Sequence, residues 1–217
     1  MRHLHIFILF AALSLNAVAD SIDDRVLYDC NASVRRMYHG CRLLTHGVHA
    51  EDPFEVSLAV DSLNANIIVP GESFTVSPLV VTPLDTVSNE KITDCFKFTP
   101  SYGIKWMEEH GVVPFLEAPS LMRDIPGKCK ILTFRLAPHG SAVYSIKQKG
   151  RCKWFVFYEP STDVGVEIES VETEIDPEHF EDVFMWHADW IMPHKDNVHV
   201  TFTNRGAQPS TIILISN

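Results

Sequence analysis

From residue 131 onward, apolar and polar positions alternate with a period of two. Ile131, Thr133 and Arg135 alternate with Leu132, Phe134 and Leu136, and Val143, Ser145 and Lys147 alternate with Tyr144 and Ile146. Val164, Val166 and Ile168 alternate with Gly165, Glu167 and Glu169, and Val198, Val200 and Phe202 with His199, Thr201 and Thr203. This is the period of a half-buried strand. Trp154–Tyr158 is apolar on both faces, the pattern of a central strand covered on both sides. The segments end at Pro138-His139-Gly140, Gly150 and Asn204-Arg205-Gly206, all turn formers. Residues 131–217 therefore predict an antiparallel β-sandwich.

The part from 20 to 130 is less regular. Asn31 is a predicted N-cap for a short helix over 32–38. Phe54, Val56 and Leu58 alternate with Glu55 and Ser57 and predict a strand; residues 64–69 and 72–76 predict two more. Pro78 and Pro83 confine such strands to sheet edges. Tyr102–His110 predicts a helix capped by Ser101 and stopped at Gly111, with Ile104 and Met107 on one side. The fold class expected is all-β with minor α: one elaborated sandwich, or two β sections joined by a helix-containing linker.

Residues 1–19 change the address. Arg2, the apolar run from Ile6 to Leu15 and the small-x-small Ala17-Val18-Ala19 read as a secretory signal peptide. The run is about half the ~20 residues that a spanning helix needs, and no integral membrane segment is expected. An exported chain meets an oxidising compartment, where cysteines pair. There are five: Cys30, Cys41, Cys95, Cys129 and Cys152. Cys30 and Cys41 can close a short loop, while Cys95, Cys129 and Cys152 compete for one bond, with Cys95–Cys129 favoured. Asn31-Ala32-Ser33 is a glycosylation sequon.

Charge narrows the partners. The formal net charge is −10, and 154–194 holds eleven acidic residues with no Lys or Arg. Such a block repels a phosphate backbone, so nucleic acid is not an expected partner; a basic protein is.

No sequence motif carries catalysis, and no cofactor is expected. His179, His187, His194 and His199, with Asp182 and Asp189 between them, are the candidate metal ligands. They would serve a metal-dependent hydrolase. Trp190 and Met192, beside Asp189, are the candidate partner-binding surface. A lipid- or carbohydrate-binding sandwich is the other alternative to a non-enzymatic protein binder.

The order of features from Tyr144-Ser145-Ile146 and Gly150 through Trp154–Glu159, 163–168, Trp186, 198–204 and 210–215 resembles the GOLD domain, a β-sandwich of secretory-pathway cargo proteins. That resemblance implies protein or lipid-headgroup contacts without catalysis. The transmembrane tail of the cargo receptors has no counterpart here.

Overall fold

The structure is a computed structural model that describes residues 26–65, 75–79, 81–86, 89–91, 101–112, 128–172, 174–175, 178–182 and 184–217. The signal-peptide residues 1–19, Cys95 and most of residues 64–74 fall outside these. Met1–Cys30 and Asn31–Asn217 are two compact units. Of the first, only 26–30 are described, where the Cys30 amide donates to the Leu27 carbonyl at 3.0 Å.

The second unit is mostly antiparallel β with three helices among the described residues. Helix α1 (Ala32–Ala50) runs well past the short helix expected at 32–38. Asn31 is its N-cap, accepting from the Val34 amide at 3.0 Å. It ends where Glu51 turns left-handed at φ 54° and returns its amide to Gly47 and Val48.

Helix α2 (Pro53–Ala65) overturns the strand expected at 54–58. Val56, Ala59, Val60 and Leu63 are buried, whereas Phe54 (62% exposed) and Leu58 (46%) face outward. That spacing is helical. The start signal is Asp52-Pro53: the Asp52 carboxylate accepts from the amides of Phe54 (2.9 Å) and Glu55 (3.2 Å), and proline suits the first helical position. Helix α3 (Ser101–His110) forms as expected, with Gly111 at φ 63°. Its inner side carries Tyr102, Trp106 and Met107, while Ile104 points out.

The strands are β1 (Thr75–Pro78), β2 (Val81–Thr86), β3 (Asn89–Lys91), β4 (Lys128–Leu136), β5 (Ser141–Tyr158), β6 (Val164–Ser170), β7 (Glu178–Asp182), β8 (Met185–Asn204) and β9 (Ser210–Ser216). Their order is β1-β4-β9-β5-β8-β6, with β2 on β5, β3 on β4 and β7 on β8. Pro78 sits in the edge strand β1, which runs parallel to β4. The long strands β5 and β8 pair throughout, apart from a bulge between Gln148 and Gly150, where Gly150 takes φ 78°. Before the bulge β5 lies between β2 and β8; after it, between β9 and β8.

On one side of this sheet, side chains of β4, β5, β8 and β9 pack into one apolar core. Phe134 of β4 meets Tyr144 and Phe202, from the first half of β5 and the second half of β8, at centroid distances of 5.0 Å each. The same core holds Trp154, Trp186, Trp190 and Met192. Beyond the bulge, the other side is covered by α1: Tyr38 lies edge-on to Phe155 (5.1 Å) and Phe157 (5.6 Å). Residues 154–157 are thus buried on both faces.

Candidate functional site

Residues directly opposite on antiparallel strands share a face. On β5, β8 and β6 this gives three cross-strand rows: Ser145–His199–Glu169, Val143–Thr201–Glu167 and Ser141–Thr203–Gly165. Their neighbours one residue away, such as Tyr144, Val200 and Ile168, turn to the core. The rows form an open, polar patch. Glu167 and Glu169 are exposed and the Ser, Thr and His members half-buried. β6 ends the strand order, so among the described residues it is paired on one side only.

Buried polar contacts hold the patch at both ends. Asp196, 4% exposed, accepts from the Ser170 hydroxyl (2.6 Å) and the amides of Glu172 (2.9 Å) and Asn197 (2.6 Å), tying the end of β6 to β8. At the opposite end the Asn204 amide group donates to the carbonyls of Ala137 (3.0 Å) and Gln208 (2.8 Å), and its oxygen accepts from the Gly206 amide (3.0 Å). Arg205 lies across Gly165, where a Cβ would come 2.7 Å from the guanidinium. Ser145, His199 and Glu169 have the composition of a hydrolytic triad, and no hydrogen bond joins them in the structure.

A second cluster lies under the helices. Lys153 is opposite Asp189, and Phe155 opposite His187. Arg151 grips the Asp189 carboxylate with two bonds, 3.2 Å and 3.0 Å, and the buried Lys153 ammonium lies 3.4 Å from it. Although burial raises the Asp189 pKa, these cations hold it below the usual carboxylate range. His187, 7% exposed, stacks on Phe155 at 5.0 Å. Desolvation, then the nearby Lys153 charge, pushes its pKa down to about 4. This imidazole is neutral at any physiological pH.

The structure separates the expected metal ligands. His187 is buried beneath the helices, His194 is exposed at the bend of β8, His199 stands in the open patch, and His179 lies in β7 opposite Ala188. Asp182, at the end of β7, is opposite Met185. Among the described residues no three His, Cys, Asp or Glu side chains converge. The expected partner-binding surface is also corrected. Trp190 is 5% exposed and Met192 1%, both in the core, while Ile191 between them is 71% exposed. Period-two alternation decides this: two large residues at i and i+2 share a strand face, and here it is the inner one. Asp189 is spent on Arg151 and Lys153.

Cys30, Cys41, Cys129 and Cys152 are buried thiols, with no disulfide between any two of them. Neither the expected Cys30–Cys41 bond nor any other is present among these four. Cys152 sits in the apolar core opposite Trp190, on the side of the sheet away from the helices. No helix among the described residues is long and apolar enough to cross a membrane. No family model, curated protein or solved structure matches this chain; the GOLD likeness rests on the sequence features alone.

Proposed function

We propose that this chain is an exported, GOLD-like β-sandwich protein that binds a basic partner protein and performs no catalysis. The sheet, folded so that Phe134 of β4 packs on Tyr144 and Phe202, is read as the sandwich. The observation that carries the binding reading is the polar patch of β5, β8 and β6, which ends in a strand paired on one side only among the described residues and bearing the exposed Glu167 and Glu169. An extended segment of a partner adds to such an edge through main-chain hydrogen bonds. Lysines or arginines on that segment meet the acidic side chains, which favours fast encounter and sets register. Export follows from the leader-like residues 1–19, and Asn31 is the expected glycan acceptor.

A twelve-residue Lys/Arg-rich peptide tests this by fluorescence anisotropy. Binding is expected to weaken with salt and to fall at least tenfold (about 1.4 kcal/mol) in Glu167→Lys/Glu169→Lys. Equal affinity in the double variant refutes the site. Retention of a neutral oligosaccharide or phospholipid vesicles, with none of the peptide, replaces this reading with a carbohydrate- or lipid-binding one.

A further inference from the structure

Two buried cysteines, Cys41 of α1 and Cys129 of β4, face the interface between α1 and the sheet from its two sides. Val34, Tyr38, Cys41 and Thr45 recur along α1 every three to four residues and are all buried. Tyr38 fixes where this stripe points, since its ring meets Phe155. Phe155 stands in a cross-strand row with Ile215 and Ile131. Cys129 lies two residues before Ile131 on β4, on the same face, and Cys41 lies one helical turn beyond Tyr38. Both are 0% exposed. Burial first, then the nearby Cys129, raises the Cys41 thiol well above its ordinary range.

We propose that Cys41 and Cys129 are the oxidisable pair of this protein, forming a disulfide that staples α1 to β4. The sequence pattern favoured Cys30–Cys41 and Cys95–Cys129, and left Cys152 as a competitor for Cys129. The sheet removes that competitor, because Cys152 faces the opposite side of β5. The reaction joins the two sulfurs and releases two protons and two electrons. A disulfide donor of the exchange type, such as oxidised glutathione, takes up the electrons and leaves as two thiols. Full burial of both sulfurs and the raised Cys41 pKa make exchange slow in the folded protein, since the thiolate is the attacking form. The bond therefore forms during folding, before α1 closes over β4. Once formed it closes a loop of about 90 residues, large enough for a substantial constraint on the unfolded chain.

The test is refolding of the full chain in a glutathione redox buffer, then alkylation and non-reducing peptide mapping. The expected result is a peptide pair linked through Cys41 and Cys129. Its thermal midpoint is expected to fall by roughly 10 °C on reduction. Cys41→Ala/Cys129→Ala should show no such fall, whatever its own starting stability. A linked Cys30–Cys41 or Cys95–Cys129 peptide, or full alkylation of Cys41 and Cys129 after oxidative refolding, overturns the proposal.

Discussion

His187→Leu is expected to flatten the loss of stability between pH 7 and pH 4. The native imidazole titrates near pH 4, against an ordinary value of 6.5. Between these values the unfolded chain holds a proton that the native state refuses, so stability rises with pH through the window. The contribution is complete above pH 6.5 and lost as pH falls to 4. A displacement of this size corresponds to about 3 kcal/mol, at about 1.4 kcal/mol per pH unit. That is a large fraction of the ~5–15 kcal/mol that holds a domain together. With a urea slope of about 2 kcal/mol/M, the wild-type midpoint should drop by about 1.5 M from this group alone. The leucine variant loses the stack on Phe155, a cost independent of pH, so the slope and not the starting midpoint is the readout. Neighbouring groups leave the comparison intact. Asp189 has a lowered pKa, so its contribution is present above the ordinary carboxylate value and lost below the window. Burial raises Glu159, so its charged form costs stability at neutral pH and that cost is relieved on acidification. Glu159 is present in both proteins and cancels. Urea titrations at pH 7, 6, 5 and 4 decide the matter. If wild type and variant lose the same stability to within about 0.5 kcal/mol, the buried neutral imidazole is not the cause.

Three further substitutions probe the face of the sheet beneath the helices and the helix pair. Asp189→Asn leaves the Lys153 ammonium, with a side chain only 3% exposed, without its carboxylate; a cost of about 3–5 kcal/mol is expected in urea unfolding, and Lys153→Met/Asp189→Leu should recover most of it. Gly47→Ala places a Cβ 2.9 Å from the backbone nitrogen of Val56, whereas Gly40→Ala meets the movable Leu63 side chain at 2.6 Å. Both should destabilise by about 1–3 kcal/mol, with Gly47→Ala the worse in thermal melts because backbone cannot step aside.

The first half of β5, β6 and the second half of β8 were legible because each alternates between a buried and a wetter face. The period of two then marks which residues point inward, as at Tyr144, Val200 and Phe202. The strand misread at 54–58 shows the limit of that signal. Over five residues, Phe54, Val56 and Leu58 satisfy a period of two, but only Val56 is buried. The longer pattern Val56, Ala59, Val60 and Leu63 is helical, and Asp52-Pro53 supplied a cap and a first-turn proline. Both lay just beyond the window that the alternation drew attention to. α1 was shortened for a related reason. Gly40 and Gly47 look like helix breakers, yet each is where α2 passes too close for a side chain.

The candidate site was visible only in fragments, because a sheet assembles its faces across strands far apart in sequence. Glu167 and Glu169 could be assigned to one wet face from their spacing alone. Their neighbours His199 and Ser145 come from strands whose register is set by a bulge at Gly150 that no alternation announces. A slip of one residue there would turn His199 inward and Val200 outward, so the composition of the patch depends on that bulge. The same dependence explains Lys153. A lysine in the basic run 147–153 reads as a solvated charge, but beyond the bulge its strand is covered by α1 on one side and the apolar core on the other. Burying it was tolerable only because the register brings Asp189 opposite. Asp189, expected at a partner-binding surface, instead pairs with Arg151 and the buried Lys153.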